Sequence, residues 1–79
     1  MASIRLRVKQ YAKIAAAKGW KNDAAAAAAI GCNAATVWRI RKGQAAPGEQ
    51  FIAGLLVAAT PFTFDDLFEV VVNDDQDVA

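Results

Sequence analysis

The chain has 79 residues, which is enough for a single domain with a modest hydrophobic core. It has no histidine and one cysteine, so we expect no metal site, no other cofactor and a reducing compartment. All nine lysines and arginines lie in residues 1–42, where Asp23 is the only acid; the other seven acids lie in 43–79. The net charge is therefore +8 (nine minus one) in the first part and −7 in the second, although the whole chain carries only +1.

Composition and charge also argue against several classes of protein. No apolar run approaches the roughly 20 residues that a membrane span needs. The N-terminus alternates charged and apolar residues, which is not the pattern of a signal peptide. No general base, nucleophile pair or metal-ligand cluster is recognisable, so we do not expect an enzyme. These observations predict a cytoplasmic protein without a membrane partner.

A first helix is predicted to end at Gly19, a residue suited to the left-handed position after a helix. Apolar residues between 8 and 15 recur at spacings of three and four, and Ser3 is a candidate N-cap. The start of this helix stays open. The preceding residues also alternate like a strand, or form a loose basic arm: Ile4, Arg5, Leu6 and Arg7.

Two short helices follow, joined by a tight turn. Asn22 is a good N-cap for a helix of alanines that runs to Ile30, where Gly31 breaks it. Asn33 can cap the next helix, which we predict from Ala34 to about Lys42.

The acidic half predicts two further helices and an extended segment. A wide apolar face indicates a helix over 48–59, which Thr60-Pro61 stops. Thr63 and Asp66 form an approximate capping box for a short helix over 64–69. The β-branched residues of 70–72 favour an extended segment, and the acidic residues 73–79 predict a disordered tail.

These elements together resemble the Cro/cI-type helix-turn-helix family of small phage and bacterial repressors. The resemblance covers residues 8–68, and its carriers are Gly19-Trp20, Ile30-Gly31-Cys32-Asn33, Thr36-Val37-Trp38-Arg39-Ile40, Gly43, Pro47 and Phe64-Asp65-Asp66-Leu67-Phe68. It implies an all-α fold: a compact, five-helix, lambda-repressor-like helix-turn-helix domain over 1–72, with a short C-terminal extended segment. The chain departs from the family where Asn22-Asp23 replaces a Ser/Thr-Gln pair that grips phosphate, because Asp23 would repel a phosphate.

The resemblance implies that the helix beginning at Ala34 enters the major groove of DNA. Arg39 is then the first choice for base readout, since a guanidinium can bond guanine O6 and N7 together. Its alternative role is to pair with a phosphate or a nearby acid. The other base-contact candidates are Ala34, Ala35 and Trp38. The alanines can instead be simple helix formers, and Trp38 can instead fold over the preceding helix as partial core.

Seven residues are candidates for contacts with DNA phosphates because they are short polar groups or cations beside these two helices: Lys18, Lys21, Asn22, Asn33, Thr36, Arg41 and Lys42. The alternative for Asn33 is a pure N-cap, and for any lysine an ordinary solvated charge.

We also predict a homodimer, since repressors of this type gain affinity by pairing across a two-fold axis. The predicted dimer interface comprises Phe62, Phe64, Val70, Val71 and Val72, with 70–72 pairing to their symmetry mates as a two-stranded ribbon. Two alternatives are that these residues cover the domain's own core, or that the monomer dimerises only on DNA.

The function predicted from these features is a sequence-specific regulator of transcription that binds a double-stranded DNA operator. A phage-type repressor of the Cro or short cI kind fits the size, since there is no room for a domain that binds a small-molecule ligand. The alternatives are an excisionase-like architectural DNA-binding protein, and an antitoxin or anti-repressor that binds a protein partner through its acidic half.

Overall fold

The computed structural model describes residues 2–72. Within that range it contains five helices and one two-stranded antiparallel sheet formed by the first and last segments of the range. The elements in chain order are β1 (Ala2–Leu6), α1 (Val8–Lys18), α2 (Asp23–Ile30), α3 (Ala34–Arg41), α4 (Glu49–Ala58), α5 (Phe64–Leu67) and β2 (Phe68–Val72). The predicted acidic tail, 73–79, lies outside the described residues.

The prediction of an all-α, lambda-repressor-like domain is wrong, because residues 2–6 form a strand rather than the start of a helix. Ile4 lies opposite Val70 and Leu6 opposite Phe68 in the antiparallel register. The first helix therefore begins at Val8, and Ser3 caps nothing there. Residues 2–6 form a strand because β2, which is rich in β-branched residues and lies more than 60 residues further along the chain, provides partners for their main-chain hydrogen bonds.

The fifth helix is also shorter than predicted, for the same reason. It ends at Leu67 instead of Glu69, and Phe68 already has extended backbone as the first residue of β2. The predicted capping box is present: the main-chain N–H of Thr63 donates to Asp66 Oδ2 at 2.8 Å, and the Thr63 hydroxyl donates to the same oxygen at 3.1 Å. The predicted start of this helix at Phe64 is therefore confirmed.

The other helices follow the sequence signals closely. Gly19 and Gly31 both adopt left-handed backbone, with φ of 79° and 94°, and end α1 and α2 as predicted. The helix predicted over 34–42 ends at Arg41, and the one predicted over 48–59 spans Glu49–Ala58. Terminal differences of one residue are within the fraying of helix ends.

A single core joins the helices to the sheet. Leu6 of β1 and Phe68 of β2, the two strands of what we call the β1–β2 ribbon, cover one side of this core. Phe68 packs edge-to-face against Phe51 and stacks on Phe64. The completely or nearly completely buried residues include Val37, Leu55, Ala59 and Leu67 as well. The sheet is thus part of the same core as the helices, instead of standing apart from it.

The alanine-rich α2 allows α4 to approach it very closely. A Cβ atom added to Gly54 of α4 would overlap the carbonyl oxygen of Ile30 at the end of α2. The side chain of Gln50 also donates to the carbonyl of Gly31 at 3.2 Å. The absence of a side chain at Gly54 therefore sets the distance between α2 and α4.

Candidate nucleic-acid interface

The pair formed by α2 and α3 is built from strong local signals. Asn22 Oδ1 accepts a hydrogen bond from the Ala25 N–H at 2.8 Å, and Asn33 Oδ1 accepts one from the Thr36 N–H at the same distance. Asn33 Oδ1 also accepts from the Thr36 hydroxyl at 2.9 Å. Each cap satisfies one of the unpaired N–H groups at a helix start. Both asparagines therefore act as N-caps. Each cap uses the side-chain oxygen Oδ1, so the side-chain NH₂ group can still donate to a phosphate.

One face of α3 is fixed in the core. Val37 and Ile40 are buried, and α3 packs along α2 through this side. Ala34 and Thr36 are half-buried beside them. Because the inner residues are fully occupied by packing, the helix has a defined orientation about its own axis.

The opposite face of α3 is an exposed stripe. It consists of Ala35, Trp38, Arg39 and Lys42, whose spacing of three, four and seven places them above one another on a helix. Trp38 is 42% exposed, so it lies on the outside of the domain and not over α2 as core. Arg39 is exposed and makes no ion pair within residues 2–72. Three of the four predicted base-contact residues are thus brought together; Ala34 lies half-buried at the edge.

Arg41 has a different environment from the one predicted for a phosphate contact. Its Nε and Nη2 donate to the two carboxylate oxygens of Asp23, each at 3.0 Å. The hydrogen bond with Asp23 raises the pKa of the Arg41 guanidinium. The pair joins the first residue of α2 to the last residue of α3, and it neutralises the acid that would repel a phosphate.

Tyr11 and Trp20 line a pocket together with Asp23 and Arg41. Their ring centroids are 6.4 Å apart, and Tyr11 is buried. Burial, and secondarily the negative charge of Asp23, raises the pKa of the Tyr11 phenol to about 12. The neutral phenol is therefore the form that fits this site, and Trp20 belongs to the packing around it.

The remaining predicted phosphate contacts differ in their surroundings. Lys18 donates to the carbonyl of Thr60 at 2.9 Å, which ties the end of α1 to the loop before α5. Lys21 and Lys42 are exposed, one before α2 and the other after α3. Of the predicted cations, Lys21 and Lys42 are thus the ones whose ammonium groups have no partner among the described residues.

The residues of the predicted dimer interface are not equivalent. Phe64 is half-buried and stacked on Phe68 with ring centroids 5.2 Å apart, and thus serves the domain's own core. Phe62 is exposed, as are Val70 and Val72, and Val71 is half-buried. Residues 70–72 pair with β1 of the same chain, so one edge of β2 is already occupied.

Arg7 is an important residue whose role the sequence did not reveal. Its Nε donates to the carbonyl oxygens of Asp65 and Phe68 at 3.0 and 3.1 Å, and its Nη1 lies 3.4 Å from Glu69 Oε1. It therefore satisfies carbonyl groups at the junction of α5 and β2. The alternation of Ile4, Leu6 and Val8 was the available signal that Arg7 belongs to an ordered strand end rather than a loose arm.

Cys32 is half-buried against the core at the turn between α2 and α3, and burial raises the pKa of its thiol. That favours an unreactive thiol over a nucleophile. Within residues 2–72, no group of three or more histidine, cysteine or acidic side chains is placed to hold a metal ion. None of the helices in this range has the length and apolar character required to cross a membrane.

Comparisons of the chain with protein-family models, with curated proteins and with solved structures gave no match in any of the three.

Proposed function

We propose that this protein is a sequence-specific, double-stranded DNA-binding regulator of transcription that inserts α3 into the major groove. The observation that carries the proposal is the exposed stripe on α3, opposite the buried Val37 and Ile40. A helix that is anchored along one face and presents an arginine and a tryptophan on the other can enter a groove about 12 Å wide.

The charge of the stripe supports nucleic acid over other partners. Arg39 and Lys42 are exposed on or directly after α3, and α3 itself contains no acid. The nearby carboxylate of Asp23 is engaged by Arg41. Cations beside a protruding helix favour a polyanion, and their phosphate contacts supply sequence-independent affinity.

The chemistry of the stripe supports base readout in addition to phosphate binding. Arg39 can donate two parallel hydrogen bonds to guanine from its rigid planar guanidinium, whereas a lysine has no such preorganised fork. Ala35 permits close approach to the groove floor, and the Trp38 ring can lie against sugar or a thymine methyl. Asn33 caps α3, and Asn22 caps α2, on which α3 packs, so these side chains are presented from a fixed backbone.

The resemblance to Cro/cI-type repressors makes a short repressor the kind of regulator that we propose, acting as a homodimer on a two-fold operator in the cytoplasm. The exposed valines of β2 and Phe62 are the surface that we assign to the second copy. Phe64 is left out of this surface, because it stacks on Phe68 within the domain.

The test is selection of bound sites from random duplex DNA at near-physiological salt, followed by sequencing. We expect a palindrome whose half-sites lie about one helical turn apart. An asymmetric motif, or sites arranged head to tail, would instead indicate a monomer or an architectural protein. No enrichment, with binding that disappears as salt rises, would contradict the proposal and favour a module that binds a protein partner.

Two substitutions at one position sharpen the test. Arg39→Ala should reduce discrimination between the selected site and a mismatched one by roughly 5- to 150-fold, equivalent to about 1–3 kcal/mol. Arg39→Lys should retain binding to random DNA but lose most of that discrimination, because it keeps the charge and removes the guanidinium fork. Both variants should fold normally, since the side chain is exposed. If both variants discriminate between matched and mismatched sites as well as the wild-type chain does, Arg39 does not contact a base.

A further inference from the structure

A polar groove runs beside β1, on the side of the strand that faces the end of α3. One wall is the strand segment 3–6, and the other is the connection between α3 and α4, residues 41–47. Ile40 also lines the groove, and the cavity volume is about 450 Å³. The cations that line it are Arg5, Lys42 and Arg41, the last of which is already paired with Asp23, and Glu69 is the acid in the lining.

The two arginines of the N-terminal segment have different surroundings. Arg7 uses its guanidinium on two carbonyl oxygens and on Glu69. Arg5 lies directly opposite Glu69 in the strand register, but that carboxylate is already paired with Arg7. The Arg5 side chain is exposed and forms no hydrogen bond or ion pair with any other described residue. It is therefore available to an external anion.

The groove is continuous with the exposed stripe of α3. Lys42 is the last residue of that stripe and also lines the groove, as Arg5 does. Lys42 therefore connects the stripe with the part of the groove where Arg5 lies. The Ser3 hydroxyl and the Gln44 amide line the same groove and can donate hydrogen bonds to phosphate oxygens. The donors and cations fit a phosphodiester strand better than they fit a cationic or apolar partner.

We propose that Arg5 contacts the DNA backbone at phosphates flanking the bases that α3 reads, so that strand β1 forms a second part of the DNA interface. This inference rests on the proposed function. A helix in the major groove lies between two phosphate backbones, and the elements at its end approach one of them. The phosphate at Arg5 positions the domain on the duplex and carries no information about sequence.

The experiment measures affinity for the selected DNA site over a range of salt concentrations, with the whole chain and three variants. For Arg5→Ala we expect the log–log salt slope to become shallower by about 0.9 per bound copy, because one phosphate contact and its counterion release are lost. Arg5→Lys should restore the slope. Lys13→Ala, which removes one charge from the solvent-exposed side of α1, is the matched control and should leave the slope unchanged. Discrimination between matched and mismatched sites should stay the same in all three.

Phosphate ethylation interference supplies the second readout. We expect Arg5→Ala to lose interference at phosphates outside the bases affected by Arg39→Ala, while circular dichroism shows an unchanged fold. If Arg5→Ala behaves like Lys13→Ala in both measurements, strand β1 is not part of the interface and this inference is wrong, although the proposed function stands. If the wild-type chain selects no site at all, both are overturned.

Discussion

The helix-turn-helix pair and the β1–β2 ribbon are held in different ways. The pair is held by side-chain contacts, namely two asparagine caps and the Asp23–Arg41 ion pair, and by the close main-chain approach of α4 at Gly54. The ribbon is held by main-chain pairing of the chain ends and by the burial of Leu6 and Phe68. The surface proposed to read DNA is therefore oriented by contacts among α2, α3 and α4, whereas the sheet holds together the first and last segments of residues 2–72.

The largest expected effect concerns the anchor of the ribbon. Phe68 is 1% exposed and contacts two other phenylalanines, so Phe68→Ala should lower the free energy of unfolding by about 3–5 kcal/mol. Val70 lies on the same face of the strand but is 59% exposed, so Val70→Ala should change it by less than about 1 kcal/mol. Denaturant unfolding followed by circular dichroism measures both. Equal losses would mean that the ribbon contributes through the whole of its apolar face rather than through Phe68.

The next effect concerns the packing of α4 on the helix-turn-helix. Gly54→Ala should lower the free energy of unfolding by about 1–3 kcal/mol, because the new methyl group meets the main-chain oxygen of Ile30, which cannot rotate away. Gly48→Ser is the matched control: space is open at its Cβ, and it is the N-cap of α4, where serine is favoured. A stable Gly54→Ala variant would show that α4 can move away from α2 at little cost.

The smallest of the three effects is a decrease in the free energy of unfolding at high pH, caused by ionisation of Tyr11. The unfolded chain releases the tyrosine proton near pH 10 and the folded chain near 12, so the stabilisation is complete below pH 10 and is lost as pH rises towards 12. At pH 11 Tyr11 alone should account for a loss of about 1.4 kcal/mol.

Tyr11→Phe isolates that contribution, because other groups also titrate in alkali. We expect the variant to lose less stability than the wild-type chain between pH 9 and pH 11. If stability falls equally with pH in the two proteins, the phenol ionises as readily in the folded chain as in the unfolded one, and Tyr11 is not buried near the Asp23–Arg41 pair.

The sequence by itself determined the helix-turn-helix, its boundaries and its exposed face. Its signals act over three or four residues, as when Asn33 Oδ1 meets the N–H of Thr36, and such contacts form wherever the segment becomes helical. The spacing of Val37 and Ile40 then determined which side of α3 is buried, and so placed Arg39 outside, whereas only the structure decided that Trp38 is exposed as well.

Only the tertiary structure decided the pairing of the chain ends and the partners of the arginines. The segment 2–6 is compatible locally with a helix, an arm or a strand, and it became a strand because packing brought Val70 and Phe68 beside it. Likewise Arg41 met Asp23 and Arg7 met the α5–β2 junction across long stretches of chain. Such contacts depend on the positions of separate elements after folding, which short-range patterns in a sequence do not specify.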